Sequence, residues 1–224
     1  MIKLIGRLSF AAWAIWGGQA RSRLRGLYTW SLSGLSRLSS RARSELQWWS
    51  QRLSAAPPVY VQPRVFAQDP LIVYTDAEGS SGFGLLVVDG SDRWWSKGSF
   101  SPMVTASLAV RRTQIFAYEV MAVWIAVTMM AARLSGRVVL FFVDNQSALH
   151  SIAKGSTAAC DVQLVVQHLW DLLSHHHCWP HWKWVPSKLN LSDAPSRGRP
   201  AIVGREVKCR IRQEAIVNLL RSAS

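Results

Sequence analysis

Cysteine and acid are what this chain has least of. Three cysteines, Cys160, Cys178 and Cys209, stand without pattern in 224 residues. That excludes a disulfide framework and fits a reducing compartment. Thirteen acids oppose 26 Lys and Arg, giving a net charge of +13. The shortage is uneven: residues 1–44 hold no Asp or Glu, residues 1–64 balance at +9, and residues 65–224 balance at +4. Such an excess fits a polyanionic partner, nucleic acid or an anionic membrane, with a solvated basic face as the plainer account. With 49% hydrophobic and 17% charged residues, the chain is globular and not disordered.

No clean membrane span is present either. "LSFAAWAIWGG" (Leu8–Gly18) is too short. "IFAYEVMAVWIAVTMMAA" (Ile115–Ala132) has nearly the length, but Glu119 lies inside it and Arg112 and Arg133 bracket it, which makes a bilayer expensive. No membrane partner is expected. The acid-free, Arg- and Ser-rich start has the composition of a transit peptide, although the basic pattern runs on past any sensible cleavage point. The expected location is intracellular, nuclear or cytoplasmic, with organellar targeting as the alternative.

Four segments are expected. Residues 1–56 form a basic helical segment in which "SELQWWSQRL" (Ser44–Leu53) is a helix with a Ser-x-x-Gln start. Residues 57–69 are a proline-rich extended linker. Residues 70–198 are the main domain, and residues 199–224 are a basic tail, part helical. In the main domain "LIVYT", "GFGLLVV" and "RWWSKG" make a three-strand meander, with "DGSD" (Asp89–Asp92) as a hairpin turn. A long helix from about Thr113 to Leu134 follows, then the apolar strand "RVVLFFV", two helices, the strand "HWKWV" and a short last helix. This order predicts an α/β fold: a five-stranded mixed sheet, its first three strands an antiparallel meander and its fourth and fifth parallel, flanked by helices.

Asp76 ends the first strand and Asp144 the fourth, so neighbouring strands would set two carboxylates side by side. Glu119 lies near the start of the long helix and Asp193 on the last short one. Unpaired buried carboxylates are costly, and clustered ones need a counter-charge. Mg²⁺ takes such oxygen ligands, and a pair of ions about 3.5–4 Å apart suits in-line attack on a phosphodiester. Taken singly, each acid has an ordinary account; for Asp144 it is a cap on the helix behind it. "HHHCWPH" (His175–His181) is a poor zinc site, because consecutive histidines cannot all face one ion from a regular helix. Trp94 and Trp95 adjoin in a strand, so one of them is expected to face outward.

"YTDAEGSSGFG", "YEVMAV", "FFVDNQSAL" and "VPSKLNLSDAPSRG" resemble the ribonuclease H domain of reverse transcriptases. They are most similar to those of DIRS-like retroelements and hepadnavirus polymerases. The last motif is the most specific, and the resemblance runs from about Leu71 to Gly198. Upstream, "LQWWSQRLSAAPP" looks like the connection that precedes such a domain. The resemblance implies an RNase H-like fold and a D-E-D-D site of Asp76, Glu119, Asp144 and Asp193. These residues would bind two Mg²⁺ ions, or Mn²⁺, and cut the RNA strand of an RNA:DNA hybrid. It also implies a reverse-transcriptase polymerase domain as partner, in cis or in trans. The polymerase "YxDD" motif is absent, and the loop before the last acid carries Lys188 where many members have His. Gly79, Arg111, Arg112, Gln114, Asn145, Gln146 and Lys188 are the candidate substrate contacts; Asn145, Gln146 and Gln114 either reach minor-groove edges or 2′-hydroxyls or are solvated polar residues, and the small residues Gly79 to Gly84 either let a nucleic-acid backbone come close or form an ordinary glycine-rich turn. A catalytically inactive, nucleic-acid-binding remnant is the alternative. A strand-transfer enzyme is disfavoured because its Glu would come last.

Overall fold

A computed structural model describes residues 2–55 and 69–221, without the side chains of Ile15 and Trp16. The expected linker lies outside the described residues apart from Asp69.

The apolar, β-branched runs form the sheet. β1 (Leu71–Ala77), β2 (Gly82–Asp89) and β3 (Asp92–Ser99) are the antiparallel meander. Gly90, at φ +59°, turns the β2–β3 hairpin in a conformation other side chains resist. A capped turn, α5 (Pro102–Ala106), leads to the long helix α6 (Ile115–Met130). β4 (Val138–Val143) then enters parallel to β1, and β5 (Trp179–Trp184) parallel to β4. Between them run α7 (Gln146–Lys154) and α8 (Cys160–His175), and after β5 comes α9 (Asp193–Ser196).

The mixed sheet flanked by helices is the expected one, with one strand more. β6 (Arg205–Glu206) pairs parallel to β3, giving the order β5-β4-β1-β2-β3-β6. This addition comes from the tail, which runs along the edge strand and ends in α10 (Gln213–Arg221). Ile216, Val217 and Leu220 of α10 join the main core. With the tail along that edge, both Trp94 and Trp95 are buried, at 4% and 5% exposure, contrary to the expectation that one faces out.

α6 has no polar face. Twelve of its sixteen residues are buried, as befits a helix covered on all sides. The stretch Ile115–Arg133 is long and apolar enough to cross a membrane, yet it is the core helix here, with 67% of its apolar window buried.

The N-terminal segment folds as α1 (Ile2–Ala11), a π-turn (Ala12–Trp16), α2 (Gly17–Ser22), α3 (Arg25–Leu32) and α4 (Ser40–Ala55). α4 starts four residues before Ser44, because Ser39 Oγ accepts the Ala42 N–H at 3.1 Å and supplies the cap. The segment has a small core of its own around Leu27 and Trp49. It docks on α8, whose Gln163, Gln167, Trp170 and Asp171 form one stripe. Gln163 and Gln167 donate to the Ser22 carbonyl at 3.1 and 2.7 Å, and Gly18 lies flat on the Trp170 ring.

Two glycines of β2 position the last motif. A Cβ on Gly84 would sit 2.3 Å from Ser196 N and 2.6 Å from Ser192 O; one on Gly82 would sit 2.2 Å from Ser196 O. What comes close to these glycines is therefore the chain's own backbone at α9. Gly79 stays open, with nothing within 4 Å. Gly84→Ala is expected to cost about 1–3 kcal/mol by overpacking and to loosen α9. A thermal melt and hydrogen exchange at residues 192–197 measure both effects.

Candidate active site

The parallel register of β1 and β4 decides the first pair. Thr75 lies opposite Val143, so Asp76 and Asp144 leave the sheet side by side. α6 crosses the same end and brings Glu119 in from its fifth position. A ligand oxygen from each of the three carboxylates lies within 4.8 Å of the other two. Asp76 and Glu119 are buried, at 6% and 3% exposure, and Asp144 is half-buried. Among the described residues this is the one cluster of metal-ligating side chains, and no such group includes the histidines of 175–181.

Asp193 lines the same cleft, of about 270 Å³, together with Glu78, Ile115, Asn145, Ser187 and Arg197. It is not part of the tight trio. Its carboxylate pairs instead with Arg197 Nε at 3.0 Å and Arg199 Nη2 at 3.6 Å. The loop that carries it is anchored on β1: Asn190 Nδ2 donates to the Thr75 carbonyl at 3.0 Å, and Asn190 Oδ1 accepts from the Ser192 hydroxyl at 2.6 Å. Ser196 Oγ donates to Asp76 Oδ2.

Burial dominates the electrostatics. It pushes Glu119 up to about 9, helped by the charges of Asp76 and Asp144 and opposed by the Ala77 N–H. It pushes Asp76 up to about 7, opposed by the Ser196 hydroxyl and the Arg197 charge and reinforced by Asp144 and Asp193. Glu119 Oε2 is buried without a hydrogen-bond partner. An orphaned acceptor among clustered carboxylates is what a hard, oxygen-seeking cation satisfies. The residues present therefore fit a divalent ion held by Asp76, Glu119 and Asp144.

The other candidates divide. Asn145 lines the cleft while its Oδ1 caps α7 by accepting from Ala148 N at 3.0 Å. Gln146 opens α7, exposed, and Lys188 is exposed beside Ser187. Arg111 is tied to Asp161 and to Gln114 Oε1, and Gln114 Nε2 donates to the Ala109 carbonyl at 2.8 Å. Those two build the entry to α6, and Arg112 beside them is exposed. Glu78, Ser187, Ser196 and Arg197 were not among the sequence candidates. Arg197 was readable four residues after Asp193, the spacing of a helical ion pair. The contact of Ser196 with Asp76 spans 120 residues and had no local signal.

Both raised carboxyls hold their protons more tightly folded than unfolded, where Asp and Glu lie near 3.8 and 4.5. Their contribution to stability is complete below those values and is lost as pH rises through about 7 and about 9. The metal-free protein should therefore melt lower at pH 8 than at pH 5, by about 2–4 °C for each kcal/mol lost. Glu119→Gln should flatten that slope, and Mg²⁺ at pH 8 should raise the melting point of the wild type but not of the variant. Melting curves in EDTA and in Mg²⁺ across this range provide the check.

No protein-family model and no curated protein matches the chain. Two of the solved structures similar to it are RNase H domains. One is the N-terminal RNase H domain of a Mycobacterium tuberculosis protein, solved as a fusion with maltose-binding protein, at 14% identity, 69% of this chain, 99% of that one and a TM-score of 0.42. The other is RNase H1 from the halophilic archaeon Halobacterium salinarum NRC-1, at 17% identity, 57% of this chain, 94% of that one and a TM-score of 0.43.

Proposed function

We propose that this chain is a divalent-metal-dependent endonuclease that hydrolyses the RNA strand of an RNA:DNA hybrid. The observation that carries the reading is the convergence of Asp76, Glu119 and Asp144 at one open sheet end, with Asp193 on the rim. Mg²⁺, as a pair of ions or with Mn²⁺ in its place, would be held by the three inner acids, with Asp193 completing the set. When bound it would supply counter-charge for the carboxylates and Lewis-acid activation of a water for in-line attack. The residues themselves do the rest. Ser196 fixes the rotamer of Asp76, the Asn190 bond to Thr75 holds the loop of Asp193 over β1, and Asn145 stands at the mouth beside Asp144. The motif "VPSKLNLSDAPSRG" further supports a retroelement reverse-transcriptase origin, with a polymerase domain as partner in cis or in trans.

A second reading, a binding remnant without catalysis, draws on Asp193, whose carboxylate is engaged by two arginines. One assay separates the two. With a labelled RNA:DNA hybrid and Mg²⁺, wild type should cut only the RNA strand, and Asp144→Asn should reduce cutting to background while still binding the hybrid. Binding without cutting by well-folded wild type, in Mg²⁺ and in Mn²⁺, decides for the remnant.

A further inference from the structure

α1 and the π-turn that follows it present two faces. Ile5, Leu8 and Ala12 point inward and are buried. Ile2, Gly6, Ser9 and Trp13 recur at i, i+4, i+7 and i+11 on the outside, with Phe10 beside them. Phe10 is 76% and Trp13 73% exposed. Tyr28, 42% exposed, joins this face through a 2.7 Å hydrogen bond with Ser9 Oγ. At Gly6 a Cβ would meet nothing within 4 Å, so the face is open there.

Charge marks what this face suits. Lys3 and Arg7 are exposed on the same helix. The described residues of the N-terminal unit contain one acid, Glu45, which is buried and committed to the Gly26 and Leu27 N–H groups at 3.0 Å and to Arg41 at 3.3 Å. Among the described residues the unit therefore exposes aromatic, aliphatic and cationic side chains and no negative charge. One face of the Trp13 ring is covered by the Arg21 guanidinium, 4.3 Å from the ring centroid. Arg21 is fixed there because its Nη2 donates to the Ala153 carbonyl of α7 at 3.1 Å.

We propose that this face is a binding site for single-stranded nucleic acid. A base would stack on the open face of Trp13, a second on Phe10 or Tyr28, and the backbone would run past Lys3, Arg7 and Arg21. Stacking platforms within a cationic track are the general means of holding unpaired strands. A lipid surface fits less well. Sinking Trp13 into hydrocarbon would take the pinned guanidinium with it, at high cost.

The placement gives the site a role beside the cleft, and this part rests on the hybrid-nuclease reading. α7 starts next to Asp144 and hands its far end to Arg21. Its nine residues span roughly 14 Å, a distance that a short unpaired strand can cover. An unpaired extension of a hybrid whose duplex part occupies the cleft would reach the platform.

The test is fluorescence anisotropy of full-length protein in EDTA with labelled oligo(dT) and oligo(U) of twelve nucleotides. Wild type should bind both, more weakly as salt rises. The double variant Phe10→Ala, Trp13→Ala should bind about tenfold more weakly or worse, with an unchanged melting temperature because both side chains are exposed. Trp13→Phe should restore most of the loss. Binding needs no cleavage, so an inactive cleft leaves the result readable. Equal oligonucleotide binding by wild type and the double variant overturns the proposal. So does absent oligonucleotide binding with Trp13-dependent capture of phosphatidylserine vesicles, or with Trp13-dependent self-association in sedimentation.

Discussion

Three carboxylates brought within 4.8 Å in a largely dry site repel one another. At an effective dielectric near 20, each ionised pair at that distance costs roughly 3.5 kcal/mol, before any charge for desolvation. Burial first, and this repulsion after it, make the acids give up charge, Glu119 before Asp76. The dipole of α6 does little to offset this, because Glu119 is one full turn inside the helix and the effect fades within the first turn. Carboxyls crowded in this way must be held in place against their own repulsion. Much of the surrounding structure does that holding.

Three supports share the task. The sheet register fixes Asp76 against Asp144. The apolar surroundings of α6 fix Glu119, since no rotation of a helix packed all round can carry its carboxyl away. The third support is the last motif, which works backwards onto β1 and β2. Asn190 takes the Thr75 carbonyl, Ser196 takes Asp76, and the segment fits against β2 only because Gly82 and Gly84 lack side chains. Glycines and the distant serine-rich motif thus form one contact, which gives both a structural reason independent of any substrate.

That contact also shows where sequence reading succeeds and fails. The pairing of Asp76 with Asp144 was legible, because strand ends and parallel order follow from apolar runs and crossover length. The direction of Glu119 was testable but not readable: an all-round apolar helix gives no periodicity to say which way one carboxylate points. The roles of Gly82 and Gly84 were not readable, since a glycine records that something comes near and not what. α5 escaped notice although Ser101-Pro102 is a proper helix start, because five residues hold no period. The sixth strand has two residues and a charged sequence, so only the course of the tail creates it. Arg111 and Gln114 looked like substrate contacts from their place before α6, yet their partners lie in the fold itself.

The N-terminal unit follows from the same reasoning applied to α8. An amphipathic helix normally turns its polar stripe to water, but here Gln163 and Gln167 are buried, at 0% and 5% exposure. Buried amides require partners, and the Ser22 carbonyl and Glu45 provide them. Glu45 in turn caps the open N–H groups of α3. Remove the unit and α8 would expose Trp170 and leave two amides to water; remove α8 and Glu45 would lose one of its donors. The basic segment is thus built against the sheet domain through specific polar contacts. Its aromatic outer face is consequently held at a fixed distance from the carboxylates, as a tethered but undocked segment would not be.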